Sequence, residues 1–394
     1  MTYRRAVIPA LVGGVLLTAL LWWAGASVDA LHLQGATDAL GGRMVADLQY
    51  WLSPWAYDPP EALRLGSGGL GDTGVDGARY LSLHETGMQV RFAALFVFFV
   101  PGALLLVRRL PPVNRRAVVT LLAVWAWGTV AGMLATTVSA PWLIASSGRG
   151  SYRALPQLAS MISSGQQITV VASLVTAAVT VLVARITVKG AGPLPLGVVP
   201  AHAARLAATA GTVVVAVSSV VLSYHRVAAS LQTVPLSGRL LSEPGDLLRK
   251  LLLLGYWAPP TDGAFGHWLL YRLGDVLLLA VVWWALRLLP VLLTRATVPA
   301  TAVGAVCATV VGLLVNQVWQ SAVTSADSGT RWGWQHLTGA LGGGVPAALL
   351  WGLLAGVTAT VTLRLAGGRP ETPDTPPAEP ATTPTAALPP EPTG

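Results

Sequence analysis

Long apolar stretches separated by polar segments dominate the pattern of this chain. A membrane span needs about 20 apolar residues to cross roughly 30 Å of hydrocarbon, and such stretches recur along the sequence. They are longer than the strands of about ten alternating residues that build outer-membrane barrels, so they predict helices. The predicted spans lie near residues 6–27, 91–107, 117–138, 168–188, 204–223, 268–289, 297–320 and 345–365.

Two similar loop motifs divide the eight predicted spans into two sets of four. The loop after the first span of the first set reads Trp55-Ala56-Tyr57-Asp58-Pro59-Pro60-Glu61, and its counterpart in the second set reads Tyr256-Trp257-Ala258-Pro259-Pro260-Thr261-Asp262. Because each set has an even number of spans, two copies lie the same way up in the membrane. The pattern predicts an all-α polytopic membrane protein built from two parallel four-helix repeats.

The repeats predict how the chain is divided. The first repeat covers residues 1–189 with an outer loop at 28–90, and the second covers 204–367 with an outer loop at 224–267. A Gly/Pro-rich cytoplasmic linker at 190–203 joins them. Residues 368–394 are rich in Pro, Thr and Glu, which predicts a disordered cytoplasmic tail.

Charge sets the predicted orientation. Hydrophobic residues make up 53% of the chain and charged residues 11%, a balance that suits a bilayer and not water. The short segments on one side are basic and lack Asp and Glu before the tail, so the positive-inside rule places both termini in the cytoplasm and the protein in the plasma membrane. Because these basic residues flank helices instead of forming one stripe, the net charge of +8 does not indicate nucleic-acid binding.

One acidic residue, Asp275, is predicted to lie within a span. The uncharged run after it, residues 276–286, is too short to cross a bilayer alone, so the sixth span must include Asp275. Arg272 precedes it at i, i+3 spacing, where an ion pair forms on a helix. Such a pair is either structural, at the membrane interface, or part of a substrate pathway. Asn316 and Gln317 are predicted to line the same outer vestibule.

The outer loops offer a second candidate site. Tryptophans near span ends usually anchor a protein in the headgroup region, but some of those in the loops lie farther out and are candidates to bind a sugar, a lipid headgroup or a peptide. The paired Pro-Pro motifs are either a scaffold for the outer rim or part of this surface. The candidate residues are Trp55, Asp58, Trp257, Asp262, Trp332, Trp334 and His336.

No sequence motif indicates a metal, a cofactor or a catalytic group. The single cysteine, Cys307, excludes a disulfide within the chain and a thiolate metal cluster. The sequence contains no zinc-binding HExxH pattern, no phosphate-binding Walker A loop, no dinucleotide fingerprint and no nucleophile elbow. We therefore predict no metal ligand, no cofactor and no catalytic residue.

Three functions fit these features. The first is a permease or permease subunit for an apolar or amphiphilic substrate, with the outer loops as its mouth and a separate ATPase as a candidate partner. The second is a non-transporting scaffold or sensor that binds an envelope protein through its paired outer loops. The third is a membrane-embedded transferase that uses an outer carboxylate, such as Asp29 or Asp47, on a lipid-linked substrate.

Overall fold

The fold is a bundle of helices, and within the part of the chain that the structure describes eight of them are long and apolar enough to cross a membrane. It is known from a computed structural model, and no β-strand occurs among the residues that the structure describes. The chain is thus an all-α multi-pass membrane protein, as the hydrophobic pattern predicts. The described residues are 3–59, 75–110, 116–147, 154–188, 200–233, 244–260, 265–292, 297–328 and 334–366.

The first four spanning helices form one closed group. α1 (Tyr3–Ala26) packs against α4 (Val75–Arg109) and α7 (Gln166–Val188), and α5 (Ala117–Ser146) packs against the same two helices. A short 3₁₀ turn, Ser53–Trp55, follows the last helix before the first Pro-Pro motif. The helices of this part of the chain are α1 (Tyr3–Ala26), α2 (Gln34–Leu40), α3 (Gly42–Leu52), α4 (Val75–Arg109), α5 (Ala117–Ser146), α6 (Ala154–Ser163) and α7 (Gln166–Val188).

The last four spanning helices form a second closed group. α8 (Ala201–Ala216) packs against α11 (Phe265–Leu292) and α13 (Trp334–Ala366), and α12 (Val298–Ser328) packs against the same two helices. α8 ends in a π-helical turn, Val217–Leu222. The helices here are α8 (Ala201–Ala216), α9 (His225–Gln232), α10 (Gly245–Leu252), α11 (Phe265–Leu292), α12 (Val298–Ser328) and α13 (Trp334–Ala366).

The short helices of both groups meet at one end of the bundle, which we call the loop end. α10 packs against α6 there, and the ammonium of Lys250 on α10 donates a hydrogen bond to the hydroxyl of Ser163 on α6. The indole nitrogen of Trp55, from the first Pro-Pro loop, donates a hydrogen bond of 3.1 Å to the carbonyl of Gly165. Gly165 lies two residues after Ser163. The loop-bearing ends of the two groups therefore lie side by side.

The core of the bundle runs along α5 and α12, which pack against each other. The thiol of Cys307 on α12 donates to the carbonyl of Ala123 on α5 at 3.3 Å, and both residues are buried. α5 carries apolar residues on all of its own faces, as expected for a helix that other helices enclose. The one cysteine is thus a packing residue at the contact between the groups.

Small residues bring α12 and α13 into close contact. A Cβ atom on Gly352 would lie 2.6 Å from the Cα of Val306, and one on Gly356 would lie 2.5 Å from the Cα of Ala302. Glycine leaves the space that lets two helix backbones approach in lipid. The glycine spacings in these spans therefore mark packing surfaces.

Several helix ends differ from the predicted ones. α4 begins at Val75, inside the predicted outer loop 28–90, because hydropathy detects only the lipid-facing part of a helix that extends beyond the membrane. α13 runs without a break through the run Gly342–Gly344, where Gly342 packs closely against Gln166. α8 begins at Ala201, inside the predicted linker 190–203. Residues 190–199 of that linker and the tail 368–394 lie outside the described residues.

Candidate functional site

Arg272 and Asp275 form an ion pair on α11. An oxygen of the Asp275 carboxylate lies 2.5 Å from Nη1 of Arg272, and both residues belong to the spanning segment Phe265–Pro290. The side chains keep 20% and 12% of their surface exposed. The i, i+3 spacing predicts this contact, since such residues share one face of a helix. The pair thus lies within a span whose other charged residue, Arg287, packs over the ring of Trp283.

A neighbouring helix donates a hydrogen bond to the carboxylate. The amide nitrogen of Asn316, on α12, donates to the second oxygen of Asp275 at 3.3 Å. Gln320, one turn later, donates to the amide oxygen of Asn316 at 3.0 Å. Gly274 makes this approach possible, because a Cβ atom there would collide with the side chain of Asn316. Sequence analysis missed Gly274, although a glycine beside a charged residue in a span could have drawn attention to it.

Trp257 covers the other side of Arg272. The centre of its ring lies 5.2 Å from the guanidinium carbon, a cation–π contact. Its indole nitrogen donates to the carbonyl of Val220 at 2.7 Å, and its backbone nitrogen donates to that of Ser223 at 2.9 Å, so the end of α8 holds the ring in place. We call Trp257, Arg272, Asp275, Asn316 and Gln320 the Asp275 cluster.

The first group of helices carries a related contact without an acid. Arg91 on α4 lies over the ring of Trp55, with its guanidinium carbon 5.6 Å from the ring centre. Its Nε donates to the hydroxyl of Ser139 at 2.9 Å and its Nη1 to the carbonyl of Pro54. Arg91 is only 1% exposed, and no carboxylate pairs with it within the described ranges. A buried cation is therefore balanced by dipoles and a ring instead of by a counter-charge.

Trp55 anchors the first Pro-Pro loop inside the bundle. It is fully buried, and its indole hydrogen bond goes to Gly165, whose φ of +68° glycine adopts without strain. A side chain on Gly165 would also meet the indole nitrogen at 2.7 Å. Trp55 was a candidate for an outer binding surface, but its ring has no face open to a ligand in this structure.

Gln317 faces away from the Asp275 cluster and lines a polar cavity of about 380 Å³ at the loop end. The cavity lies between α10, α12 and α13, and Arg249 and Lys250 of α10 contribute its positive charge. Partial burial lowers the pKa of the Lys250 ammonium from its usual value, and Arg249 lowers it further, whereas Asp246 raises it. Asn316 and Gln317, predicted to share one vestibule, thus lie on two faces of α12.

A second cavity, of about 410 Å³, is apolar and lies on the α11 side of α12. Leu270, Trp319 and Val323 are among its lining residues. The indole nitrogen of Trp319 donates to the carbonyl of Leu270 at 2.7 Å, which fixes the ring at the wall. The two cavities therefore flank α12 at the loop end, one apolar and one charged.

Of the other candidate residues, Asp58 alone has a side chain that the structure describes. Asp58 is exposed next to the first Pro-Pro motif. Trp334 and His336 lie in the first turn of α13, a part of the helix whose side chains are outside the description, and Asp262 and Trp332 fall in segments that the structure does not describe. Within the described residues, no group of three His, Cys, Asp or Glu side chains could hold a metal ion.

Comparison with known proteins gives no relative that would assign a function. No family model matches the chain, and neither a curated protein nor a solved structure is similar to it.

Proposed function

We propose that this chain is a permease-type protein of the plasma membrane, or a permease subunit, whose substrate is amphiphilic and enters at the loop end. The proposal requires two parallel four-helix units, a loop end that faces outward and a site that accepts both charged and apolar parts of a molecule. Each requirement has separate support.

Tandem duplication is supported by matching contacts in the two groups. In each group the first spanning helix packs against the second and fourth, and the third packs against the same two. In each group an arginine of the second span lies over the tryptophan of a Pro-Pro loop, Arg91 over Trp55 and Arg272 over Trp257. The bond from Lys250 to Ser163 joins the two loop ends, as two units of the same orientation require.

The outward orientation of the loop end rests on charge. The connections at the opposite end carry no acidic residue. Their basic residues include Arg108, Arg109, Arg116 and Arg205. Cytoplasmic loops typically have this excess. The N-terminus and the start of the second unit then both lie in the cytoplasm.

The observation that carries the proposed activity is the concentration of polar groups and cavities around the loop end of α12. An ion pair inside a span costs free energy, so it normally indicates a functional site. Here the ring of Trp257 covers Arg272, an apolar cavity lies between α11 and α12 at the same end, and the charged cavity lies on another face of α12. Ligand sites commonly combine an apolar wall with a few charged groups in this way.

Internal packing of the loop tryptophans disfavours the alternative of a scaffold that binds a partner through its paired loops. Trp55 is buried, and Trp257 is engaged by Arg272 and by the end of α8. Trp55 therefore offers no free surface to a partner, and Trp257 offers only part of its ring. The loops act better as fixed walls than as a docking surface.

Transport can be tested with purified protein in vesicles of phosphatidylcholine that contain a trace of phosphatidylglycerol with a fluorescent headgroup. Dithionite added outside bleaches the label as it reaches the outer leaflet, so the rate measures movement across the bilayer. We expect wild-type protein to accelerate this movement and Asp275→Asn to slow it about tenfold, the effect of losing one charge-assisted hydrogen bond of about 1.4 kcal/mol.

The matched control is Asp38→Asn, which removes a carboxylate that is exposed on α2. It is expected to leave the rate unchanged, and size-exclusion chromatography of each variant verifies that the protein is folded. Wild-type vesicles that bleach no faster than protein-free ones would contradict the proposed transport. Equal rates for Asp275→Asn and wild type would remove the Asp275 cluster from the pathway.

A further inference from the structure

The polar cavity at the loop end is bounded by backbone that neighbouring helices hold in place. Residues 253–255, directly after α10, line one side of the cavity. Hydrogen bonds from the end of α8 and from the middle of α13 hold this segment in place. The hydroxyl of Ser218 donates to the carbonyl of Leu252 at 2.5 Å and accepts from the backbone nitrogen of Leu254 at 3.2 Å. Trp351 donates to the same Leu252 carbonyl at 2.9 Å. The wall is therefore fixed before any ligand arrives.

Two cations face this space without a matching number of acids. Arg249 and Lys250 line the cavity, and within the described ranges neither has a carboxylate within ion-pair distance. Among the described residues of the lining, Asp246 is the one acid, and it is exposed to solvent. The ammonium of Lys250 donates one hydrogen bond to Ser163, and this bond positions the ammonium. Two of its N–H groups stay available to a ligand. The lining thus carries a net positive charge and spare donors.

The remaining wall is apolar and close to helix backbone. Leu253, Leu254 and Leu313 contribute side chains, and Gly343 exposes the backbone of α13, since a Cβ atom there would meet nothing within 4 Å. The amide of Gln317 adds one polar group that both donates and accepts. A molecule that fits must combine an anionic group with an apolar body.

The position of α10 indicates where such a molecule comes from. α10 is short and amphipathic, with four leucines beside Asp246, Arg249 and Lys250, a composition that favours the plane of the headgroups. A lipid in the adjoining leaflet has its phosphate at that depth and its chains below it. With α10 in that plane, the cavity that it lines lies at the level where these two parts meet.

We propose that the cavity between α10, α12 and α13 binds the phosphate headgroup of an anionic amphiphile, held by Arg249 and Lys250, with its apolar part against Leu253, Leu254 and Leu313. This inference rests on the proposed permease function and names its substrate class. Gln317 positions the headgroup from α12. The contact of Lys250 with Ser163 links the bound headgroup to the first helix unit.

Native mass spectrometry of the full chain in detergent tests the proposal. The protein is titrated with phosphatidylglycerol, with phosphatidylcholine and, separately, with inorganic phosphate. We expect phosphatidylglycerol to bind about tenfold more tightly than phosphatidylcholine, since only the first is a net anion. We expect inorganic phosphate to compete only weakly, because it lacks the apolar part.

Two variants and one control locate the site. Arg249→Gln/Lys250→Gln is expected to abolish the preference for phosphatidylglycerol, and Gly343→Leu is expected to weaken binding of both lipids by filling the cavity without a clash. The control, Arg43→Gln/Arg226→Gln, removes two exposed arginines of α3 and α9 and is expected to leave the preference unchanged. Thermal unfolding of each variant verifies that it is folded.

The outcomes separate this inference from the transport proposal. Equal binding of the two lipids to wild-type protein, or an equal loss in the control, would overturn the site. Inorganic phosphate that binds as tightly as phosphatidylglycerol would overturn the amphiphile and leave a site for free phosphate. Selective binding without movement of the fluorescent lipid would contradict the proposed transport and support the binding site. Movement of the lipid without selective binding would support transport and contradict the binding site.

Discussion

Replacing Gly352 with leucine is expected to lower the free energy of unfolding by about 3 kcal/mol or more, the upper part of the range for overpacked sites. A Cβ atom at this position would lie 2.6 Å from the Cα of Val306 and 3.0 Å from its backbone nitrogen. Backbone atoms cannot rotate away as a side chain does. α12 and α13 must therefore move apart, which also disturbs the contact between Gly356 and Ala302 one turn later.

The measurement is unfolding in mixed micelles of rising dodecyl sulfate content, followed by tryptophan fluorescence. The control is Gly266→Leu, because Gly266 is a helical glycine with nothing within 4 Å of its Cβ position. We expect the control to unfold close to wild type. Equal stability of Gly352→Leu and Gly266→Leu would show that α12 and α13 are not in backbone contact.

Replacing Asp275 with leucine is expected to have the second largest effect, a loss of about 2–3 kcal/mol, because it leaves the charge of Arg272 without its partner. The partial exposure of both side chains, 20% and 12%, keeps the cost below that of a fully buried pair. The double variant Arg272→Met/Asp275→Leu removes both charges and is expected to recover most of the loss.

These variants, with Arg272→Met alone, form a double-mutant cycle in the same unfolding assay. The cycle isolates the interaction between the two side chains from their separate contacts with Trp257 and Asn316. Recovery in the double variant supports an ion pair whose charges compensate each other. A double variant that is as unstable as the sum of the single variants would show that the two charges do not interact.

Much of the fold could be predicted from the sequence because lipid imposes a simple rule. A span must satisfy its backbone hydrogen bonds internally and present apolar side chains, so eight helices could be located from composition alone. Their ends could not, because the extension of α4 back to Val75 is polar and resembles a loop. Hydropathy predicts the apolar part of a helix that crosses the membrane, and it misses the polar part that extends beyond the membrane.

The candidate site could be predicted where it depends on local spacing. Arg272 and Asp275 are three residues apart on one helix, so their contact follows from helix geometry. The roles of Trp55 and Lys250 depend on residues far away in the chain, Gly165 and Ser163, which no local pattern connects to them. A tryptophan near a membrane boundary is equally compatible with an exposed and a buried ring until its neighbours are known.

Membrane topology is the central claim, and cysteine labelling tests it most directly because Cys307 is the only native cysteine. In a Cys307→Ala background, single cysteines are introduced as Asp58→Cys and Ala258→Cys at the loop end, and as His202→Cys and Arg364→Cys at the opposite end; all four positions are exposed. Intact cells are treated with a membrane-impermeant maleimide.

Two parallel units with an outward loop end predict that the Asp58→Cys and Ala258→Cys variants react in intact cells. The His202→Cys and Arg364→Cys variants are then expected to react only after permeabilisation. Opposite behaviour of Asp58→Cys and Ala258→Cys, or labelling of His202→Cys in intact cells, would contradict the account.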